Sequence, residues 1–475
     1  MVHAVPTRVV IAGATGFLGR PLVRRLQRDT AYQIVGITRA AAHTGPDGIE
    51  LAQADLFSLK DAENALAGAR YAIYLVHSMS RTARLVQGSF ADLDLICADN
   101  FGRAARIAGI EQIVYVGGLQ PDGAEATSPH LRSRKEVGVA LGFHGTPVTE
   151  LRAGLILGPS GSSWELMARL VRRLPVLVCP AWTSHRTQPI DLDTMVELLA
   201  RVLGDQQTFG RVFDVGGPDV LTYRTLLERT AVALGVERKF VSVPIESPAL
   251  SHLWISGITG APKELVGPLL ESLRHDMVAS DRALQDRLQL NGLPVDEALR
   301  LSVAPHQREP QAYRPAPEGA LRGVRSVQRI PLPVDADAEW AADEYMRWLP
   351  RGLWPFMRVD VKREGAARTA NFSIVGIKKP LLVLALEPSR STADRQLFYI
   401  RGGILALTEG RGRLEFREVP DRHALLTAIH DFLPRLPWFL YRWTQAVVHA
   451  IVMWLFGRHL ARLAENHRPT KQIDE

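Results

Sequence analysis

Residues 8–39, RVVIAGATGFLGRPLVRRLQRDTAYQIVGITR, constrain this chain more than any other stretch. Val9, Val10 and Ile11 form a short all-apolar run, the pattern of a parallel strand buried on both faces. Gly13, Gly16 and Gly19 follow at G-x-x-G-x-x-G spacing. Leu18, Leu22 and Leu26 then recur at every fourth residue, on one face of a helix. Ile34, Val35 and Ile37 make the next strand. A strand, a glycine turn, a helix and a second strand in immediate succession predict an α/β fold built on a doubly wound parallel sheet.

The glycine spacing has a chemical reading. The first glycine permits the tight turn, the second lets backbone approach a pyrophosphate, and the third lets helix pack closely on strand. The anion then rests on N–H groups at the positive end of the helix. Gly13, Thr15, Gly16, Phe17, Leu18 and Gly19 are therefore the expected dinucleotide-binding turn. At the end of the second strand an NAD site needs a carboxylate for the ribose 2′-OH. This chain has Thr38 and then Arg39, twenty residues past Gly19, with no carboxylate nearby. A guanidinium pairs with a 2′-phosphate, so NADP(H) is the expected cofactor.

A chain of 475 residues is too long for one compact domain, and 46% hydrophobic content supplies ample core. Cys97 and Cys179 are the two cysteines, which excludes a disulfide framework and a cysteine-based metal cluster; no metal site is expected. The start runs straight into the first strand, without room for a signal peptide, and predicts a cytoplasmic protein. The net charge of +7 is spread along the chain without aromatic interleaving or a DNA-reading module, which argues against a nucleic-acid partner.

Elements continue to alternate. Strands are expected at Ile49–Gln53, Tyr71–Val76, Gln112–Val116 and Val148–Leu151, with helices around 59–66, 90–108 and 132–141. GATGFLG, ADLFSLKDAENAL, YAIYLVHSM, NFGRAARIAGIEQIVYVGGL and LRAGLILGPSG together resemble the atypical extended short-chain dehydrogenase/reductases. The likeness is to the NmrA-like, NAD(P)H-binding bacterial branch, which is also related to a complex I accessory subunit, and it covers about residues 8–300. It implies that Asp55 and Leu56 lie near the adenine. It also implies that Leu75, Val76, His77 and Gly117 line the cofactor toward the nicotinamide.

The chain departs from that family where the proton donor should be. Members carry a Ser after the fifth strand and a Tyr-x-x-x-Lys on the next helix. Here Gly117 and Gly118 stand at the Ser position, and HLRSRKEVG aligns His130 with the Tyr and Arg134 with the Lys. Arg134 can hydrogen-bond ribose but cannot release a proton. His130 is the candidate general acid near neutral pH, with His77 as a second candidate.

Residues from about 160 to 302 read as the substrate-side portion. Asp193 is the expected cap of the helix within 188–203, and Asp191 and Asp214 read as structural carboxylates. The apolar segment Pro248–Leu273 reads either as a pocket lining or as core. Residues 303–323 carry Pro305, Pro310, Pro315 and Pro317 among polar groups, a linker composition. Residues 324–464, ahead of a polar tail at 465–475, alternate short strands between a first helix and a long last one. SVQRIPLPV and MRWLPRGLWPFMRVDV resemble a domain of unknown function fused to this reductase branch, and the pattern suggests a START-like helix-grip α+β domain. That resemblance implies an apolar ligand.

In the closing helix the uninterrupted apolar run, Ala446–Phe456 with His449 inside it, falls short of the ~20 residues of a membrane span. The helix either packs on its own sheet or docks reversibly on an anionic membrane, peripheral to the inner membrane, with Arg435, Arg442, Arg458 and Arg462 flanking it. Two functions follow: an NADP(H)-dependent oxidoreductase acting on a hydrophobic carbonyl, enoyl or quinone-like substrate, or a non-catalytic NADP(H)-binding sensor or accessory protein.

Overall fold

A computed structural model describes residues 6–40, 44–77, 85–121, 128–243, 274–303, 323–365, 367–407, 412–420 and 422–466. They form two compact units, one comprising Met1–His77 and Asp94–Ala312, the other Ser78–Leu93 and Tyr313–Glu475. The segment Pro248–Leu273, most of the proline-rich stretch, Ser78 and Met79, and most of the polar tail lie outside the described residues.

The first unit begins with β1 (Thr7–Ala12), α1 (Gly19–Leu26), β2 (Tyr32–Thr38), β3 (Glu50–Gln53), α2 (Leu59–Leu66) and β4 (Tyr71–Tyr74). The strand β5 (Leu85–Gln87) follows and pairs elsewhere. After it come α3 (Phe90–Ala108), β6 (Gln112–Gly118), α4 (Pro129–Gly142), β7 (Val148–Ala153), α5 (Ser162–Arg173), α6 (Leu192–Val202) and β8 (Val212–Val215). Helices α7 (Tyr223–Ala233), α8 (Ala283–Leu288) and α9 (Val295–Val303) follow. Seven strands form one parallel sheet in the order β8-β7-β6-β4-β1-β2-β3. This is the Rossmann-like α/β architecture expected from the sequence. Val9, Val10, Ile11 and Ala12 of β1 are fully enclosed, because helices cover both faces of a parallel sheet. Helix α6 is capped by Asp191 and not by Asp193: Asp191 Oδ1 accepts from Thr194 N at 2.8 Å, while Oδ2 accepts from Leu293 N at 2.9 Å. Asp214 Oδ2 likewise accepts a backbone N–H, from Ser280 at 3.0 Å.

The second unit contains β9 (Val324–Pro331), α10 (Ala338–Gly352), β10 (Met357–Glu364), β11 (Ala367–Ile374), β12 (Leu382–Leu386), β13 (Arg395–Gly402), β14 (Arg413–Glu418), β15 (Ala424–Phe432), α11 (Trp438–Trp443) and α12 (Gln445–Asn466). Strands β10 to β15 form an antiparallel meander, and β9 joins it beside β15. β5 then adds in parallel to β9, with Leu85 opposite Val324 and Gln87 opposite Ser326. Gln87 Oε1 accepts from Ser326 Oγ at 3.1 Å, and Asp92 accepts from Arg329 Nε at 2.7 Å. Ser78–Leu93, well inside the first 302 residues, thus belongs to the second unit. The space between sheet and helices is filled by rings, with Tyr345 within 5.1 to 6.4 Å (centroids) of Phe372, Phe416 and Phe456.

Candidate functional site

Because the sheet is parallel, the carboxyl ends of β1, β2, β3, β4 and β6 share one edge, and every residue singled out for cofactor binding or proton transfer lies there or on the adjoining start of α4. The β1–α1 turn has the form that its glycines require. Gly13 adopts φ +91°, and a Cβ on it would stand 3.0 Å from the Leu75 carbonyl oxygen. A Cβ on Gly19 would lie 2.1 Å from Gly13 O, so helix and turn are in backbone contact. Gly16 N donates to Gly13 O at 2.9 Å and closes the turn. Thr15 O accepts from Arg20 Nε at 3.1 Å, and Phe17 packs against Gly161. Helix α1 opens at Leu18 with no side-chain cap and no acidic residue in its first turn. Such an end favours an anion, and the cradle fits a dinucleotide pyrophosphate.

Thr38 ends β2, and its Oγ1 accepts from Ala40 N at 3.2 Å, holding the turn that carries the exposed Arg39. After β3, Asp55 Oδ1 accepts from Phe57 N at 3.2 Å, and the Leu56 carbonyl accepts from buried Asn100 at 2.9 Å. These bonds brace the loop from within.

Beyond β4, Leu75 N donates to Ala12 O at 2.9 Å, and Val76 leads to His77. His77 Nδ1 lies 2.6 Å from Oδ2 of Asp94, a carboxylate that is 2% exposed. His77 Nε2 is buried and has no hydrogen-bond partner among the described residues. The His130 ring stands 5.4 Å away, centroid to centroid. His130 follows Pro129 in the first turn of α4, capped by Ser128 Oγ accepting from Leu131 N at 3.2 Å. Burial, reinforced by His77 and Arg134, pushes the His130 imidazole down to about 3. At neutral pH the ring is therefore uncharged.

Arg134 is anchored rather than mobile. Its Nη2 donates to the Val116 carbonyl, and its guanidinium lies 5.1 Å over the Tyr115 ring. Tyr115 Oη donates in turn to the Arg134 carbonyl at 2.9 Å. Burial raises the Tyr115 phenol well above its ordinary value, so it stays protonated at neutral pH.

Gly117 has a structural cause. A Cβ there would meet Glu150 Oε1 at 2.2 Å, and one on Gly138 would meet Oε2 at 2.9 Å. The direction in which a serine would project is already taken by a carboxylate, so Gly117 contributes backbone only. Glu150 is buried, which raises its carboxyl, and Arg152 Nε at 3.1 Å partly offsets this. Asp94 and Glu150 were missed by motif reasoning. Glu150 had a signal, a carboxylate in the middle of a strand buried on both faces.

A family model described as NAD(P)H-binding matches residues 13–141. Those residues carry an NAD(P)H-binding domain on a Rossmann-like sheet. The auxiliary protein GraX of Staphylococcus aureus is 29% identical over 143 residues, 30% of this chain and 42% of that protein. An uncharacterized protein of Mycobacterium tuberculosis is 29% identical over 248 residues, 52% of this chain and 25% of its own. The chain thus spans less than half the length of either relative. NADH dehydrogenase [ubiquinone] 1 alpha subcomplex subunit 9 of Arabidopsis thaliana is 23% identical over 313 residues, 60% of this chain and 76% of that protein. Among solved structures, the triphenylmethane reductase of Citrobacter sp. complexed with NADP(H) superposes with a TM-score of 0.50 at 18% identity, covering 62% of this chain and all (100%) of that one. A nucleoside-diphosphate-sugar epimerase of S. aureus does so with a TM-score of 0.50 at 15% identity, covering 62% and 100%. These two share the fold.

Proposed function

We propose that this chain is an NADP(H)-dependent oxidoreductase acting on an apolar carbonyl or quinone-like substrate, with His77 exchanging the proton. The observation that carries the reading is the β1–α1 turn, where Gly13 and Gly19 leave no room for a Cβ and α1 opens uncapped. Its N–H groups would hold the pyrophosphate, and Arg39 would meet the 2′-phosphate. The nicotinamide, when bound, supplies or accepts a hydride.

Asp94 fixes the His77 ring through Nδ1 and leaves Nε2 facing away from its own hydrogen bond. A protonated His77 gives its Nε2 proton to the substrate oxygen as the carbonyl carbon is reduced, and is reprotonated from water. Asp94 stabilises the imidazolium in the interval.

A second reading, a non-catalytic NADP(H)-binding accessory protein or sensor, is favoured by the closed Gly117 position and the uncharged His130. The likeness to a complex I subunit agrees with it.

Isothermal titration with NADPH and NADH, followed by turnover assays over a panel of quinones and ketones, separates these readings. Arg39→Ala should weaken NADPH about 10- to 100-fold and leave NADH unchanged; equal affinity of the native protein for both nucleotides refutes the NADP assignment. Asp94→Asn should keep the NADPH affinity, lower kcat by about 10²-fold and shift the pH profile. Tight binding with no turnover on any substrate supports the second reading, and no binding removes both.

A further inference from the structure

The closing pair of helices, α11 and α12, is apolar on two sides. Ala446, Met453, Phe456 and Leu460 lie in the core of the second unit, each 1% exposed or less. At Gly457 the backbone approaches Ile330 so closely that a Cβ would stand 3.0 Å from its Cγ2. The other side is open: Phe439 is 73% exposed, Trp443 71% and Trp454 57%, with Val447, Val448 and Ile451 between them. Residues 447, 451 and 454 follow one another at helical steps of four and three along α12, so they form one strip, and Trp443 ends α11 just ahead of it.

The charge around this strip has one sign. Between Asp431 and Glu465 the sequence contains no Asp or Glu, while Arg435, Arg442, Arg458 and Arg462 are all present and exposed. The Arg442 guanidinium lies 5.0 Å over the Trp443 ring, and that of Arg458 lies 5.0 Å over Trp454. Indole and guanidinium side by side, apolar body below and cation above, is the arrangement that sits at the boundary of acyl chains and headgroups.

We propose that the strip Phe439–Trp454 docks the second unit peripherally on an anionic lipid surface, its aromatic rings entering the acyl boundary and its arginines meeting the headgroup phosphates. Helices α11 and α12 taken together, Trp438–Glu465, make a stretch of 28 residues apolar enough to cross a bilayer by length and composition, more than its sequence suggested. Crossing would expose Ala446, Met453, Phe456 and Leu460 and dismantle the core they fill, so it lies on the surface. A second copy of the chain fits poorly, since two strips face to face bring together two sets of four arginines without an acid.

Flotation of the full-length protein with phosphatidylglycerol–phosphatidylcholine vesicles, and with phosphatidylcholine alone, tests this. The protein should float with the anionic vesicles and stay behind with the neutral ones, and added salt should release it. Trp443→Ser/Trp454→Ser and, separately, Arg442→Glu/Arg458→Glu should each lower the bound fraction about ten-fold without moving the melting temperature, because all four side chains are exposed. Three results overturn the proposal: no association with anionic vesicles, equal association with both vesicle types that survives the arginine reversal, or a native dimer in sedimentation equilibrium that the tryptophan variant makes monomeric.

Discussion

At Gly117 and Gly138 the absence of side chains makes the berth for Glu150, whose two carboxylate oxygens stand where their Cβ atoms would be. Placing a serine there, as Gly117→Ser, should therefore cost about 1–3 kcal/mol of stability from overpacking. Combining it with Glu150→Ala should recover part of that loss in thermal unfolding; strictly additive effects would mean that the two positions do not compete. This also explains what could be read from the residues alone. The turn made by Gly13, Gly16 and Gly19 was legible because its form depends on local spacing. The fate of His130 was not, because its neutral state comes from burial beside His77 and Arg134. Asp94 was equally invisible: nothing in FADLDLICADN marks that one of its acids will meet a histidine from the end of another strand.

Helix α6 depends on Asp191 for two separate backbone donors, one at its own start and one at Leu293. Asp191→Ala should lower stability by about 1–3 kcal/mol, while Asp193→Ala, inside the first turn, should change little. Equal effects in chemical denaturation would refute that assignment. The elements of the first unit were largely legible, since buried parallel strands and amphipathic helices declare themselves over short windows. β5 was not: three residues, LVQ, become a strand only by pairing with β9, and its Gln87 bonds to Ser326, 239 residues away. β9 and β15 were missed for a related reason, since Arg325 in β9 and His430 in β15 are buried among their apolar neighbours and break the alternation. A fragment spanning 324–475 lacks β5, so one side of β9 is left with unpaired backbone groups. It should self-associate in light scattering where the full-length chain does not; a stable monomer would show that β5 adds nothing.

Among the described residues, burial holds three histidines uncharged: His130 near 3, His430 near 4 and His449 near 4. A depressed histidine contributes stability above its unfolded value of about 6.5, and that contribution is lost as the pH falls toward the folded value. Glu150 and Glu418, both raised by burial, work in the opposite sense. Lowering the pH from 7.5 to 5 should therefore cost about 2 kcal/mol for each of His430 and His449 and lower the melting temperature by several degrees. A flat melting temperature over that range would contradict the buried, neutral histidines. The parallel pairing of β5 with β9 has a consequence for the gene itself. A cut anywhere within codons 304–322 would yield one polypeptide with a spare strand and another with an unfinished sheet. The halves should thus seek each other out and rejoin without a covalent link, as a natural split protein would.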